Sequence, residues 1–161
     1  MKKPQIDEQA VVADGAVVLG DVTIEKNASV WYNAVIRGDV NSISIGEGTN
    51  IQDLAVLHVD ADASLAIGKN VTIGHGAILH GCTIKDQALI GMGAIVLNDA
   101  VIGKGSMIAA GALVPQNTVV PDGALYMGNP AKFRRMLTEE ELTANLKNAA
   151  NYIKESKDLN N

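Results

Sequence analysis

Aliphatic residues recur at every sixth position along most of the chain, and small or polar residues fill the places between them. The spacing is interrupted by single steps of nine, ten and five residues. The eighteen residues that open these hexapeptides are Val12, Val18, Ile24, Val30, Ile36, Ile45, Ile51, Leu57, Ile67, Ile73, Leu79, Ile84, Ile90, Val96, Ile102, Ile108, Val114 and Val120. One buried aliphatic residue per unit predicts a parallel β-helix, in which turns join short strands and each coil stacks on the last.

Turn residues and insertions fit the same architecture. Glycine and asparagine follow the aliphatic residue in IGEGTN (45–50) and IGKNVT (67–72), where they supply positive φ at corners. The longer steps predict loops at residues 39–44 and 58–66 that project from corners. The pattern resembles the hexapeptide-repeat family. That resemblance implies three hexapeptides per triangular coil and a left-handed coil, although ordinary parallel crossovers prefer the opposite hand.

After Val120 the repeat loosens, and a helix is predicted over residues 138–157. Thr138 and Glu141 match a capping box, and apolar residues at helical spacing form one stripe. The expected fold is an all-β solenoid, a left-handed parallel β-helix of hexapeptide repeats with a C-terminal α-helix packed alongside. Its predicted segments are a lead-in (1–11), the β-helix (12–131) and a C-terminal segment that carries the helix (132–161).

Composition narrows the classes of function. A chain of 161 residues is expected to form one domain. A net charge of −5 without a basic block argues against nucleic acid as a partner. The one cysteine, Cys82, excludes an internal disulfide and fits a reducing compartment. Neither a signal peptide nor an apolar stretch of about 20 residues is found, so we expect a soluble cytoplasmic protein without a membrane partner.

The three histidines fall within the 23 residues from 58 to 80. Leu57 and Leu79 open hexapeptides three units apart, so with three units per coil His58 and His80 stack in one column. Neighbouring coils lie about 4.8 Å apart, and both imidazoles can then reach one metal with Zn–N bonds of about 2.0–2.1 Å. An isolated histidine on a repeat protein is usually a surface residue, but this clustering favours metal coordination.

His75 holds a different place in its hexapeptide, five residues before His80. At about 3.3 Å per residue, the two Cα atoms can be some 15 Å apart. We therefore predict that His75 reaches the metal from an adjacent subunit, which gives equivalent sites in a threefold oligomer. Arg37 falls in the column of His58 and His80, and Asp39 follows it. This pair predicts a structural ion pair at a subunit interface, with orientation of substrate or bicarbonate as the alternative.

These residues stand in segments that resemble the gamma-class carbonic anhydrases, in the acyltransferase-like branch of the hexapeptide-repeat proteins. The resemblance covers roughly residues 10–155 of the chain. Its motifs are IRGDV (36–40), TNIQD (49–53), VLHV (56–59), TIGHGAILHGCTI (72–84) and IGMGAIVL (90–97). It implies a homotrimeric carbonate dehydratase, a lyase that hydrates CO2 reversibly to bicarbonate.

The resemblance also implies a metal site within the β-helix. His58, His75 and His80 match the metal ligands of the family, with His75 contributed by the neighbouring protomer. The metal is expected to be Zn2+, with Fe2+ as the alternative. Arg37 and Asp39 match the ion pair near the metal. In such a site the metal lowers the pKa of its bound water from 15.7 to about 7, and the resulting hydroxide attacks CO2 at the trimer interface.

Four further residues match the family's active site. Gln52 matches the glutamine that hydrogen-bonds the metal-bound water, and Asp53 matches its acidic neighbour. Asn50 matches an asparagine that helps to hold the substrate. Tyr152, on the predicted helix, matches an active-site tyrosine. The resemblance therefore implies that Gln52 orients the nucleophile.

The sequence departs from the best-characterised members at two points. Val40 stands where they carry a glutamate. The short segment 58–66 replaces a long acidic loop that carries their proton-shuttle glutamate. Asp60 or Asp62 could partly substitute for it, although solvated loop carboxylates are the simpler interpretation. Without a shuttle, removal of the proton limits turnover, so the activity is expected to be low or redirected.

Two other classes of function compete with hydration of CO2. Residues 101–132 resemble the C-terminal coils of hexapeptide acyl-CoA acyltransferases, which use a histidine as general base and need no metal triad. Metal-assisted thioester hydrolysis at the same site is a related alternative. A catalytically weak trimer could also keep the metal for structure or assembly. Metal content separates the acyltransferase from the other candidates, and a hydration assay separates the anhydrase from the structural trimer.

Overall fold

The computed structural model describes residues 1–159, and the last two residues of the predicted C-terminal segment, Asn160 and Asn161, lie outside the described residues. Most strands are two or three residues long, because the rest of each hexapeptide forms a turn. The elements are β1 (Gln5–Ile6), β2 (Val11–Val12), β3 (Val17–Ile24), β4 (Ser29–Val30), β5 (Val35–Ile45), β6 (Asn50–Ile51), β7 (Val56–His58), β8 (Leu65–Ile67), β9 (Thr72–Ile73), β10 (Ile78–His80), β11 (Thr83–Ile84), β12 (Leu89–Ile90), β13 (Ile95–Val96), β14 (Val101–Ile102), β15 (Met107–Ile108), β16 (Leu113–Val114), β17 (Val119–Val120), β18 (Ala124–Met127), β19 (Lys132–Met136) and α1 (Glu139–Ser156).

The interior is lined by the aliphatic residues that open the hexapeptides. All sixteen of them from Ile24 to Val120 are buried, whereas Val12 and Val18 at the N-terminal end are partly exposed. Buried alanines at the corners complete this core of small side chains. The fold is a left-handed parallel β-helix with a C-terminal helix, which confirms the fold class expected from the repeat.

The coils present three faces. The histidine face consists of β7, β10, β13 and β16 with the first halves of β3 and β5. The helix face consists of β2, β4, β6, β9, β12, β15 and β18, and α1 lies against β4, β6 and β9. The third face consists of β1, β8, β11, β14 and β17 with the second halves of β3 and β5. The long strands β3 and β5 therefore bend around a corner and join two faces into one sheet.

The two insertions differ in structure. Residues 39–44 do not project as a loop, because they belong to β5, whose register with β3 shifts around Asp21. The first of the two loop predictions is therefore wrong: the extra residues are taken up as an irregularity within a strand. Residues 58–66 do turn back between β7 and β8, in a compact loop closed by a bridge between Asp60 and Ala63.

Strand pairing also extends beyond the hexapeptide repeat on both sides. β1 pairs with β3 in parallel register, within the predicted lead-in 1–11. β19 pairs antiparallel with β18, in a segment that the repeat does not cover. The division of the chain at residues 12 and 131 stays a prediction. Within residues 1–159, no helix combines the length and apolar character that crossing a membrane requires.

The helix α1 begins at the predicted capping box. Thr138 Oγ1 accepts from the Glu141 backbone N–H at 3.2 Å, and the Glu141 carboxylate accepts from the Thr138 backbone N–H at 2.8 Å. Along the helix, Leu142 and Ile153 pack over the corner glycines Gly105 and Gly48. Side chains at these two glycines would meet the helix, so the glycines allow α1 to lie close to the coils.

Acid is expected to fray the start of α1. Hydrogen bonds from Arg135 and from the Thr138 backbone lower the pKa of Glu141 from 4.5 to about 2. Because the folded-state pKa lies below the ordinary value, this contribution to stability is complete above pH 4.5 and is lost as pH falls towards about 2. Far-UV circular dichroism during an acid titration measures the helix signal. Glu141→Gln should remove this part of the pH dependence.

The matched control is Glu140→Gln, an exposed acid in the same first turn. Both substitutions remove one negative charge near the helix N-terminus, but only the first touches the capping box. Identical acid titrations for the two variants would contradict the role given to Glu141.

Candidate metal centre and adjoining cleft

Arg37, His58 and His80 occupy one column of the histidine face, as the repeat predicts. Arg37 pairs with His58 across β5 and β7, and His58 pairs with His80 across β7 and β10, each in register. The column follows the C-terminal ends of β7 and β10, at the edge that borders the third face. Successive coils therefore bring the guanidinium and two imidazoles side by side.

Asp39 hydrogen-bonds two residues of this column, Arg37 and His58. Its carboxylate accepts hydrogen bonds from His58 Nε2 at 2.9 Å and from the Arg37 guanidinium. These two hydrogen bonds, with that from His58 the stronger influence, hold the pKa of the Asp39 carboxyl below its ordinary value. The predicted Arg37–Asp39 ion pair forms within one chain, and its position at a subunit interface stays a prediction.

The surrounding hydrogen bonds determine the tautomers of the two imidazoles. A carboxylate only accepts, so His58 carries its proton on Nε2, towards Asp39. Asn98 Nδ2 donates to the Asp60 carboxylate at 2.6 Å, so Asn98 Oδ1 faces His80 and accepts from His80 Nδ1 at 2.6 Å. The remaining lone pairs, on His58 Nδ1 and His80 Nε2, face each other across 3.0 Å.

This juxtaposition suits a cation. Two neutral imidazoles whose lone pairs meet repel each other unless a positive species lies between them. With Zn–N bonds of about 2.0–2.1 Å at tetrahedral angles, two ligand nitrogens are separated by about 3.3 Å. The observed 3.0 Å is close to that separation. His58 and His80 therefore fit a metal as two of its ligands, and imidazole suits zinc and iron alike.

His75 lies at the opposite edge of the histidine face, on the corner between β9 and β10. Its side chain is 49% exposed, and its Nδ1 donates to the Asp53 carboxylate at 2.8 Å. That bond leaves the Nε2 lone pair available to a ligand. Within residues 1–159, no three His, Cys, Asp or Glu side chains converge on one point where a metal could bind. One chain does not bring His75 to the other two histidines, because the length of β10 separates them.

Gln52 and Asn50 belong to a buried polar network near the same corner. Gln52 Nε2 donates to Asn50 Oδ1 at 3.0 Å, and Asn50 Nδ2 donates to Thr72 Oγ1 at 3.0 Å. Asn148 on α1 also donates to Thr72 Oγ1, at 3.4 Å. The network fixes the Gln52 amide and leaves its Oε1 as an acceptor for a ligand.

A cleft of about 380 Å³ opens between α1 and the helix face. Its polar lining consists of Gln52, Thr72, His75, Asn148 and Tyr152. The ring of Tyr152 packs edge to face on Trp31, with 5.2 Å between centroids. Burial, followed by the carboxylates of Glu155 and Asp53, raises the pKa of Tyr152. The phenol therefore stays protonated at neutral pH and can donate a hydrogen bond in the cleft.

The structure separates the predicted site residues into two groups. Arg37, Asp39, His58 and His80 lie together at one edge of the histidine face, and Asn50, Gln52, Asp53, His75 and Tyr152 lie around the other edge. Three residues that the sequence pattern does not predict also belong to these groups. Asn98 accepts a hydrogen bond from His80, and Thr72 accepts hydrogen bonds from Asn50 and Asn148. Asn98 lies in a turn, Thr72 in strand β9 and Asn148 on the helix, and none of these positions carries a distinctive signal in the sequence.

Comparison with known proteins agrees with this architecture. A family model described as bacterial transferase hexapeptide (six repeats) matches residues 81–116. Gamma carbonic anhydrase 2, mitochondrial, of Arabidopsis thaliana is 50% identical over 94% of this chain and 57% of its own length. A probable carbonic anhydrase of Methanocaldococcus jannaschii is 54% identical over 96% of this chain and 97% of its own. The crystal structure of a hexapeptide transferase family protein from Anaplasma phagocytophilum is 51% identical and covers 96% of this chain and 91% of its own, with a TM-score of 0.93.

The coils and the matched repeats define a hexapeptide-repeat protein of the β-helix class. The archaeal relative shares more than half of its residues with this chain over nearly its full length. The chain therefore belongs to the gamma carbonic anhydrase family. It spans 57% of the length of the Arabidopsis relatives.

Proposed function

We propose that this chain is a subunit of a homotrimeric, metal-dependent carbonic anhydrase that hydrates CO2 reversibly to bicarbonate. The observation that carries the proposal is the approach of His58 Nδ1 to His80 Nε2 at 3.0 Å, while Asp39 and Asn98 engage the other nitrogen of each ring. Hydrogen bonds to Asp39 and Asn98 hold both rings in the tautomers that ligation requires. Relatives named carbonic anhydrase at about 50% identity support the same reaction.

The third ligand is His75 of an adjacent subunit. Its Nδ1 is engaged by Asp53, so its Nε2 is the nitrogen that a metal would bind. Because His75 and the His58–His80 pair lie on opposite edges of one face, neighbouring subunits around a threefold axis can meet edge to edge and complete each site. Zn2+ suits three imidazoles with one open position, and Fe2+ is the alternative.

An exposed apolar column supports this assembly. Six outward aliphatic residues stand in register up the histidine face, namely Val17, Val35, Val56, Ile78, Ile95 and Leu113. Val56 and Ile78 are 38% and 40% exposed although they lie in the middle of a sheet. A contiguous apolar stripe of this kind is typical of an interface with another subunit.

The residues of the chain have distinct parts in the reaction. A bound divalent metal supplies Lewis-acid activation of water, which brings the pKa of that water to about 7. Gln52 Oε1 accepts a hydrogen bond from the attacking water and so directs its lone pair towards the carbon of CO2. Asn50 holds the Gln52 amide in place, and the Tyr152 phenol can donate to an oxygen of the substrate. The products are bicarbonate and one proton, which leaves to solvent.

Stopped-flow CO2 hydration tests the proposal. Protein loaded with zinc, or with ferrous iron under anaerobic conditions, should hydrate CO2 well above the rate of buffer, and His80→Ala should abolish that rate. Since the short segment 58–66 replaces the loop that carries the proton shuttle of the best-characterised members, turnover should rise with the concentration of an external buffer that carries the proton away. Full metal occupancy with no hydration above buffer would refute the proposed reaction.

Gln52→Ala should lower kcat by about 10²-fold or more while metal content stays at the wild-type level, because one positioned hydrogen-bonding group is lost. The matched control is Gln87→Ala, a polar corner residue between β11 and β12 that lines a separate pocket with Leu142 of α1. Equal kcat values for the two variants would show that Gln52 does not take part in the reaction.

A second candidate, hydrolysis of an acyl thioester at the same metal, is favoured by the size of the cleft. Its volume of about 380 Å³ exceeds what three-atom CO2 requires, and Leu89, Met92 and Met107 contribute to an apolar wall that an acyl chain could contact. The relative from Anaplasma phagocytophilum also carries the name of a transferase family. Release of thiol from short-chain acyl-CoA substrates by the zinc-loaded protein, lost in His80→Ala, would support this candidate.

A further inference from the structure

The loop between β7 and β8 is linked to the candidate metal centre by a chain of hydrogen bonds. Asn98 Nδ2 donates to Asp60 Oδ2 at 2.6 Å, and Asn98 Oδ1 accepts from His80 Nδ1 at 2.6 Å. Asp60 is therefore not a freely solvated carboxylate. We propose that Asn98 and Asp60 are positioning residues that fix the tautomer and ring orientation of His80. This inference rests on the proposed function, in which His80 Nε2 is a metal ligand.

The direction of each bond follows from elementary chemistry. An amide side chain can present either its oxygen or its nitrogen to a neighbour, and a neutral imidazole nitrogen can either donate or accept. The Asn98–His80 contact alone thus permits two arrangements. The Asp60 carboxylate can only accept, so the Asn98 nitrogen must point to Asp60 and its oxygen must point to His80. His80 then carries its proton on Nδ1, and its Nε2 lone pair is free for a metal.

The loop itself is held by the other insertion. Asn41, on β5, donates through Nδ2 to the backbone oxygens of Asp60 at 3.1 Å and Ala61 at 3.0 Å. Asp39, two residues earlier on the same strand, accepts from His58. The irregular part of β5 therefore supports both histidines, His58 directly through Asp39 and His80 through the loop.

Gly81 leaves the space that Asn98 occupies. Its φ is +53°, and a Cβ at this position would lie 2.7 Å from Asn98 Oδ1 and 2.8 Å from the Ala63 Cβ. A side chain here would collide with the amide and with the loop at once. A glycine directly after His80 therefore leaves room for the hydrogen bonds that link Asp60 to His80 through Asn98.

Proton transfer by Asp60 is the competing explanation, and two substitutions separate it from positioning. Asp60→Asn removes the titratable group, and its amide can present either an oxygen or a nitrogen to Asn98, so it fixes the Asn98 amide less firmly than the carboxylate does. Asp60→Ala removes the acceptor and leaves the Asn98 amide free to turn over. Positioning predicts that Asp60→Ala changes the His80 tautomer and weakens zinc binding, whereas proton transfer predicts that turnover falls while the tautomer and zinc affinity stay unchanged.

The experiment uses the full chain with 15N-labelled histidine, first without metal. Long-range 1H–15N correlations should show His80 as the Nδ1–H tautomer in the wild type and as a mixture of tautomers in Asp60→Ala, in Asn98→Ala and, to a smaller extent, in Asp60→Asn. Zinc affinity, measured by competition with a chelator, should fall about 10–100-fold in the two alanine variants. It should fall less in Asp60→Asn than in Asp60→Ala, and it should stay near the wild-type value in the control Asp62→Ala, which changes an exposed carboxylate of the same loop.

Each outcome separates this inference from the proposed function. An unchanged His80 tautomer and unchanged zinc affinity in Asp60→Ala would overturn the positioning role while leaving the metal site intact. Equal losses of hydration in Asp60→Asn and Asp60→Ala, with zinc affinity unchanged in both, would overturn it in favour of proton transfer. Failure of the wild-type chain to bind either zinc or ferrous iron would instead overturn the proposed function, on which the inference depends.

Discussion

His75→Ala is expected to remove metal from every site of the trimer and to reduce CO2 hydration to the rate of buffer alone. Each site would keep two imidazoles from one subunit and lose the third from its neighbour. The coils should remain folded, because the His75 side chain is half exposed and its one hydrogen bond goes to Asp53 at the surface. Metal analysis after dialysis, together with circular dichroism, measures the two effects. Full metal content in the variant would refute the shared site.

Mixed trimers give the sharper form of this test. A His75→Ala subunit still carries the His58–His80 pair, and a His80→Ala subunit still carries His75. Random mixing of equal amounts should restore about one quarter of the interfaces, since the site is directional around a threefold axis. The matched control mixes His58→Ala with His80→Ala, which damages the same half of the site in both subunits and should restore none. Equal recovery in the two mixtures would show that the ligands are not divided in this way.

Among the substitutions proposed for this chain, Leu79→Ala is expected to cause the largest loss in the free energy of unfolding. Leu79 is fully buried and stacks in register between Leu57 and Val96, directly before His80. Truncation leaves a cavity in the narrow interior of the β-helix. We expect the free energy of unfolding to fall by about 2–5 kcal/mol. Thermal unfolding at a fixed subunit concentration measures the loss, and each kcal/mol should lower Tm by about 2–4 °C.

Val119→Ala is the control for this measurement. Val119 is also an aliphatic residue of a short strand, but its side chain is 67% exposed on the third face. Its truncation removes the same kind of atoms from a position that water already reaches. A similar fall in Tm for both variants would contradict the account of the core as a stack of buried aliphatic residues.

The period of six made the coils and the histidine column predictable. The openers give the burial pattern. Counted at three per coil, the number that the resemblance to the hexapeptide-repeat family supplies, they also give the register that pairs His58 with His80 and Arg37 with His58. The separation of His75 from this column was also predictable from spacing. In a repeat structure, sequence distance converts directly into position, which is why these features could be inferred without coordinates.

The features that the sequence did not predict share a physical cause. They depend either on a single side-chain contact or on a segment outside the repeat. Asn98 lies 18 residues after His80, and asparagine is common at the corners of this chain, so its bond to the imidazole leaves no trace in the pattern. Residues 39–44 pair within β5 because the adjacent strand β3 accommodates a register shift, which hydrophobic spacing cannot reveal. The antiparallel pairing of β18 with β19 likewise falls beyond the last opener.

The compact loop between β7 and β8 has an evolutionary consequence. The strands on either side keep their register with the coils above and below, so the length of this connection can change without moving the histidine column. Descendants of one ancestral solenoid could thus have exchanged loops and altered their proton-transfer chemistry while the scaffold stayed the same. In this chain such an exchange is constrained, because a replacement loop must still offer an acceptor to Asn98 where Asp60 now stands and backbone oxygens to Asn41.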